Sequence, residues 1–115
     1  MTDSGQGATV RVLGVSAGRL LAQKLVRTNA DIRAAVKAWL SDPTSAEVRY
    51  GHIAKWNVKA VTDMYELFFG ARSFNQDVSG WDVSNVTNMG GMFWGARSFN
   101  QDVSGWDVSN VTSMA

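Results

Sequence analysis

The stretch ARSFNQDVSGWDVSNVT occupies residues 71–87 and recurs unchanged at residues 96–112. The same period of 25 residues relates a set of apolar positions, namely Trp56, Trp81 and Trp106, Met64 and Met89, and Phe68 and Phe93. A period of about 20 to 50 residues is typical of proteins whose units cannot bury their own apolar face and pack against copies of themselves. Because equivalent positions would then face one another, a residue that suits one copy also suits the next.

The period divides the chain into a repeat region and a preceding segment. We predict an N-terminal cap at residues 1–45, made of a β-hairpin and an amphipathic helix, and a repeat region at residues 46–115. The predicted units of that region are a degenerate one at 46–70, a complete one at 71–95 and a truncated one at 96–115. Repeat arrays need such caps because the first unit otherwise exposes its core.

Within one unit the pattern changes from strand-like to helical. The segment QDVSGWDV at residues 76–83 is short, β-branched and flanked by turn formers, which is typical of a brief strand. From Val86 onward apolar residues follow helical spacing, with Ser84 or Asn85 placed to cap the helix. We therefore predict an α/β fold, a leucine-rich-repeat-like solenoid of strand-plus-helix units.

The segment before the repeats contains a well-marked helix. Its apolar residues share one helical face and lie at positions 32, 35, 36, 39 and 40. Asp42 can cap a second short helix that has Pro43 at its first position and Gly51 just past its end. Residues 8–28 are open to two interpretations, either two strands around a glycine turn or a helix from residue 20 to 25.

Composition argues against several classes of function. The chain has 115 residues, of which 45% are hydrophobic and 18% are charged, so it can build a modest core. Residues 1–45 hold six Lys or Arg against three Asp, whereas residues 46–115 hold five against seven Asp or Glu. A mildly acidic repeat region without a basic stripe argues against nucleic-acid binding. The absence of cysteine excludes disulfides, thiol nucleophiles and thiolate metal sites.

The sequence also argues against membrane insertion. No run is long and apolar enough to span a bilayer, and ATVRVLGVSAGRLLA at residues 8–22 is interrupted by Arg11 and Arg19. The same interruption makes it a poor secretory signal. We therefore expect no membrane span. The sequence slightly favours an intracellular or organellar location, with the cell surface as the alternative.

The periodic apolar residues predict both a core and a contact surface. A strictly periodic aromatic column is more often internal than a sugar-binding face. The predicted core ladder consists of Trp56, Trp81, Trp106, Met64, Met89, Phe68 and Phe93. Phe69 and Trp94 occupy another column, about 100° around the predicted helix, and form either an exposed apolar stripe for a partner or a packing contact between units. The other candidate partner-contact residues are Ser79, Asp82, Ser104 and Asp107.

Candidate catalytic, metal-binding and glycosylated residues each have a structural alternative. His52 is the only histidine and aligns with Asp77 and Asp102, so we interpret it as a turn residue rather than a catalytic base. Asp and Asn side chains in three columns could hold calcium between units, but such residues more often satisfy backbone N–H groups in turns; the columns are Asp77 with Asp102, Asp82 with Asp107, and Asn75 with Asn100. The sequons at Asn85 and Asn110 matter only in a secreted chain, and Asn85 is predicted to cap a helix. We therefore predict no catalytic residue, no metal site and no cofactor.

One family resemblance covers most of the repeat region. The pattern W-D-V-S-N-V-T-N-M-x-x-M-F-x-x-A-x-x-F-N-Q-D-V-S, at residues 81–104, resembles the BspA-like surface repeat, which is also found in mycoplasma-type lipoproteins. The resemblance covers residues 71–115 closely and 46–70 more loosely. It implies a leucine-rich-repeat-like solenoid used for adhesion or protein interaction, with no catalytic motif to transfer. Residues 8–40 also faintly resemble the opening of a ubiquitin-like β-grasp.

Three classes of function remain. We expect a non-catalytic protein–protein interaction or structural repeat module, as a fragment or subunit of a larger assembly with a protein partner. The alternative is a cell-surface adhesion segment that recognises host protein or glycan. An enzyme is disfavoured because one histidine and no cysteine leave few combinations of nucleophile and base. Because Met114 would open a third helix at an uncapped end, we expect further repeats to continue that end or a partner to cover it.

Overall fold

The structure is a computed structural model that describes residues 17–114. The first part of this range contains three α-helices: α1 at Ala17–Leu25, α2 at Ile32–Ser41 and α3 at Pro43–Tyr50. A 3-10 turn at Ile53–Lys55 follows, and the rest of the described chain consists of turns and irregular segments joined by isolated parallel bridges. None of the helices in this range is long and apolar enough to cross a membrane.

The first helix overturns the hairpin interpretation of the cap. Residues 17–25 form α1, which confirms the helical alternative, and the earlier part of the predicted hairpin lies outside the described residues. Extended pairing begins only after α1, where the N–H of Arg27 donates to the carbonyl of Asn57 and the N–H of Asn57 donates to the carbonyl of Leu25. The ubiquitin-like resemblance needs a second strand where α1 lies, so it does not describe this segment.

The next two helices are those that the sequence predicts, and α3 has its predicted ends. The side chain of Asp31 accepts a hydrogen bond from the N–H of Thr28 at 2.9 Å just before α2. Asp42 caps α3 by accepting from the N–H of Ser45, Pro43 is the first residue of that helix, and Gly51 ends it with a φ of 79°. A left-handed φ at this position favours glycine because it has no Cβ. The division of the chain at residues 45 and 46 stays a prediction, and α3 runs across it.

The repeats do not form an α/β solenoid of strand-plus-helix units. The prediction of a leucine-rich-repeat-like solenoid is therefore wrong. Residues 17–114 contain no strand, only single parallel bridges such as Asp63 with Asn88. The predicted strand at 76–83 is instead two successive turns, in which Asp77 and Asp82 each accept from the N–H two residues further on at 3.0 Å. An Asx turn of this kind satisfies the backbone locally and so competes with a sheet.

The predicted helix from residue 86 is also absent, and the backbone hydrogen bonds explain why; the helix that Met114 would open lies beyond the described residues. The N–H groups of Met64, Glu66, Phe68 and Gly70 donate to carbonyls of the next unit, at residues 88, 90, 92 and 94, over 2.7 to 2.8 Å. The carbonyls of residues 88, 90 and 92 are therefore paired with the first unit, and the N–H groups of Met92 and Trp94 bond to the carbonyls of Met89 and Gly91, three residues back, rather than four residues back as an α-helix requires. Gly91 and Gly95, with φ of 61° and 77°, further interrupt the helical spacing.

The core runs between the units, and identical side chains contact each other across them. The rings of Trp56 and Trp81 stack at a centroid distance of 6.1 Å, and those of Phe68 and Phe93 stack at 5.5 Å. Of the predicted core ladder, the structure buries Trp56, Trp81, Met64, Met89 and Phe68, and leaves Phe93 and Trp106 half-buried. The helices cover the first unit, with Trp39 of α2 set edge-on to Trp56.

Candidate interaction surface

Phe69 and Trp94 form an exposed aromatic column on the repeat region. Their rings stack at a centroid distance of 4.9 Å and an interplanar angle of 15°, while 49% of Phe69 and 68% of Trp94 face solvent. The column therefore joins two units and remains open to a partner. Gly70 and Gly95 follow the two rings in left-handed conformations, and the N–H of Gly70 donates to the carbonyl of Trp94 at 2.7 Å. These turns fix the spacing of the two rings.

A groove lies beside the column, between the helices and the second unit. Its volume is about 420 Å³, and its lining includes Trp39, Leu40, Pro43, Phe69, Arg72 and Asn75. It combines apolar walls with polar groups, which is the mixture that binding sites for peptides and small molecules show. The column and the groove share Phe69, so together they make one continuous surface. This surface, the Phe69–Trp94 face, is the candidate interaction site.

The other four candidate contact residues belong to Asx turns and do not join this face. Ser79 and Ser104 donate their N–H groups to Asp77 and Asp102, and Asp82 and Asp107 accept from Ser84 and Ser109. All four are exposed, but no hydrogen bond or ring contact within residues 17–114 links them to Phe69 or Trp94. The side-chain and backbone hydrogen bonds from Ser84 hold the pKa of Asp82 below its ordinary value. These carboxylates therefore stabilise turns in their charged form.

His52 fills the same structural place as the aspartates of the later units. Its Nδ1 accepts a hydrogen bond from the N–H of Ala54 at 3.1 Å, as Asp77 accepts from Ser79. Its ring also meets Trp39 edge-on at 4.9 Å. Within the described residues no group of three His, Asp or Glu side chains is placed to hold a metal ion. The geometry of His52 is that of a turn residue.

Sequence reasoning assigned Asn85 the wrong role. Asn85 was predicted to cap a helix, but its Nδ2 donates to the carbonyl of Lys59 in the preceding unit at 2.8 Å. Asn110 repeats this bond to Ser84 at 2.7 Å. The signal available in the sequence was the first unit, which follows the helical segment rather than a repeat and has Ala60 at this position. These bonds tie successive units together.

Sequence reasoning also missed Arg27, the one buried charged residue of the described chain. Its guanidinium lies 4.7 Å from the ring centroid of Tyr50 and 5.1 Å from that of Trp56, and its Nε donates to the carbonyl of Val26 at 2.8 Å. Burial lowers the pKa of Arg27, and the nearby Asp31 carboxylate opposes that shift. The contacts with aromatic faces stabilise the cation and dock the segment after α1 on the first unit.

Comparison with known proteins gives one family. Residues 41–115 match the family described as "Mycoplasma protein of unknown function, DUF285", so the match contains all three units and begins at the end of α2. No curated protein and no solved structure matches the chain. The match agrees with the mycoplasma part of the resemblance seen in the sequence, and it does not extend to a BspA-like or leucine-rich-repeat assignment.

Proposed function

We propose that this chain, which belongs to the DUF285 family, is a non-catalytic protein–protein interaction or structural module that contacts its partner through the Phe69–Trp94 face. The observation that supports the proposal is the pair of large rings held in solvent by fixed turns. Exposed tryptophan is favoured at the centre of protein interfaces because it supplies a large rigid contact area at little entropic cost. The module would then be a subunit or part of a larger assembly.

The lining of the face indicates the chemistry of the partner. The flat ring of Trp94 suits an apolar or aromatic side chain, and the adjoining groove suits a short segment of backbone. Arg72 supplies a charged donor for a carboxylate or carbonyl, and Asn75 supplies both a donor and an acceptor. The mildly acidic character of residues 46–115 makes a protein a better partner than a nucleic acid.

A matched set of surface variants tests this proposal. The intact chain would be crosslinked in its native extract, and the double variant Phe69→Ser, Trp94→Ser would be compared with the wild type. Val48→Ser is the control, because Val48 is 73% exposed on α3 and does not line the face. We expect the double variant to give at least about tenfold less of the specific crosslinked product than the wild type, because large aromatic residues are the usual anchors of interfaces. Equal crosslinking by all three proteins, with unchanged melting temperatures, would reject the proposal.

A second candidate function is that of a cell-surface adhesion segment that recognises host protein or glycan. The observation that favours it is the resemblance of residues 81–104 to the BspA-like surface repeat. This function requires the protein to be exported. Protease added to intact cells would digest an adhesion segment, whereas complete protection under conditions that digest a known surface protein would exclude this candidate.

A further inference from the structure

A second cavity adjoins the groove of the Phe69–Trp94 face. It has a volume of about 260 Å³, and its lining includes Arg33, Lys37 and Leu40 of α2. Leu40 also lines the groove, and 42% of it is exposed, so the two cavities meet at this side chain. Both cavities are lined by residues of α2, of α3 and of the first two units.

The charged residues that line these two cavities all have the same sign. Arg72 lines the groove, Arg33 and Lys37 line the second cavity, and no described Asp or Glu lines either one. Arg33 is partly neutralised, because its guanidinium lies 3.5 Å from the carboxylate of Asp63 and donates to the carbonyl of Tyr65. Lys37 and Arg72 are exposed and form no ion pair with a described residue. Two cations therefore remain uncompensated at the cavities.

The carboxylates that lie nearest to these cavities along the chain have partners elsewhere. Asp42 stands between α2 and α3, and its carboxylate accepts from the N–H and the hydroxyl of Ser45. Asp77 follows the groove in sequence and accepts from the N–H of Ser79 in its own turn. The side chain of Glu66 lies against the equivalent glycine of the second unit. None of these carboxylates lines a cavity, so the cations there remain available to the carboxylates of a ligand.

We propose that the Phe69–Trp94 face and the adjoining cavity bind an extended acidic segment of a partner protein, an inference that rests on the proposed function. An apolar side chain of that segment packs on Leu40, where the two cavities meet. The carboxylates on either side of it pair with Lys37 and Arg72. Opposite charges across an interface select the partner and speed its association, whereas the apolar contact supplies the energy that exposed ion pairs do not.

The small number of cations favours a peptide over a nucleic acid or an anionic polysaccharide. Polyanions are bound through several cations that each neutralise a charge along an extended basic surface. The two cavities offer only two uncompensated cations, with the apolar side chain of Leu40 where the cavities meet. A short acidic peptide can place two carboxylates around one apolar side chain, so it matches this arrangement.

The test selects peptides on the intact chain from a displayed library of random sequences. We expect the enriched peptides to carry at least two Asp or Glu around a large apolar residue. The strongest of them, synthesised with a fluorescent label, should bind at least about tenfold more weakly to Lys37→Glu and to Arg72→Glu, because each reversal opposes a carboxylate with a like charge. Raising the salt concentration should also weaken binding to the wild type.

Lys55→Glu is the matched control, because Lys55 is exposed, lines neither cavity and gives the same change in net charge. This variant should bind the peptide within about twofold of the wild type, since a distant exposed charge is screened. The three substituted residues are all exposed, so each variant should melt like the wild type.

Several results would overturn the proposal. They are no enrichment of any peptide, enrichment of peptides without acidic residues, and equal binding of the selected peptide by the wild type and all three variants. Heparin that binds more tightly than any selected peptide, and not to Arg72→Glu, would identify an anionic polysaccharide as the ligand instead. Enriched apolar peptides that Phe69→Ser no longer binds would reject the acidic segment and leave the proposed function standing. Native crosslinking that ignores Phe69→Ser, Trp94→Ser, beside acidic peptides that require Lys37, would reject the proposed function alone.

Discussion

Replacing one tryptophan in each of the two identical copies measures how much a neighbouring unit stabilises the fold. Trp81 is 3% exposed, stacks on Trp56 at 6.1 Å, contacts the ring of Phe68 at 5.9 Å, and donates its Nε1 proton to the carbonyl of Ile53. Trp106 has the same sequence context but is only half-buried. Trp81→Ala and Trp106→Ala therefore remove the same atoms from different surroundings.

The expected losses follow from burial. Truncating a fully buried tryptophan costs about 3 to 5 kcal/mol, through lost transfer free energy and the cavity that remains. We expect Trp81→Ala to lower the free energy of unfolding by about 4 kcal/mol, since both neighbours of the ring lose contacts. Trp106→Ala should cost about half as much, because part of its ring is already in water and the cavity opens to solvent.

Urea denaturation followed by far-UV circular dichroism measures these values without relying on tryptophan fluorescence. The two variants should have similar m-values and clearly different midpoints. Trp94→Ala is the control, since the exposed Trp94 ring contributes about 1 kcal/mol or less through its stacking on Phe69. Equal losses for Trp81→Ala and Trp106→Ala would refute the reasoning, because they would show that the two copies have the same packing environment.

Three further predictions concern backbone conformation and pH. Glu66 has a φ of 52°, and the equivalent residue of the next unit is Gly91 with a φ of 61°. Because a positive φ strains a residue that has a Cβ, Glu66→Gly should raise the free energy of unfolding by about 0.5 to 1 kcal/mol in chemical denaturation. A decrease would contradict the idea that Glu66 is strained. Gly95→Ala should destabilise the fold more than Gly70→Ala. An added Cβ at residue 95 would lie 3.3 Å from the Cα of Gly70, whereas an added Cβ at residue 70 would have no atom within 4 Å. Equal midpoints of chemical denaturation for the two variants would contradict this prediction. Hydrogen bonds from serine hold the pKa of four aspartates below the ordinary value, namely Asp77, Asp82, Asp102 and Asp107. The stability that these carboxylates contribute is therefore present above pH about 4 and is lost as the pH falls through their pKa values in the folded protein. The melting temperature should therefore fall below pH about 4, and Asp82→Asn with Asp107→Asn, which keeps the acceptor oxygens, should make that fall shallower.

The sequence predicts those features that depend on spacing alone. The 25-residue period gives the pairs that contact each other, such as Trp56 with Trp81, whatever the backbone conformation between them. The ends of α3 are also predictable, because the cap at Asp42 and the left-handed turn at Gly51 depend on neighbours in the chain. The column of Phe69 and Trp94 follows from the same periodicity.

The backbone conformation of a unit does not follow from spacing. The apolar positions Val78, Trp81, Val83 and Val86 are separated by alternating steps of three and two residues, which match neither the period of a strand nor that of a helix, and the backbone there forms successive turns. In the part of the unit predicted to be helical, by contrast, the backbone N–H groups of the first unit pair with another unit 24 residues away, as Phe68 does with Met92. A pattern read within one unit contains no information about that pairing.

The degenerate first unit shows which requirements of the repeat are local and which come from a neighbour. His52, Asn57 and Asp63 stand where the second unit has Asp77, Asp82 and Asn88, and all six accept a hydrogen bond from the N–H two residues further on. The residue type can vary as long as an acceptor remains, since the bond lies within the turn itself.

Ala60 shows the opposite case, because it stands where Asn85 and Asn110 each donate to a carbonyl of the preceding unit. The first unit is preceded by the segment from α1 to α2 rather than by a repeat, so we expect an asparagine at residue 60 to lack the carbonyl that Asn85 and Asn110 bind. The first unit therefore differs in sequence from the later units at residue 60, which faces a different neighbour. It keeps a hydrogen-bond acceptor at residues 52, 57 and 63, where the side chain bonds within its own turn. By this reasoning, Ala60→Asn should add little to the free energy of unfolding, whereas Asn85→Ala should lower it by about 1 kcal/mol in a denaturant titration. If Ala60→Asn raised the free energy of unfolding by as much as Asn85→Ala lowered it, the segment before the first unit would offer the same acceptor as a repeat.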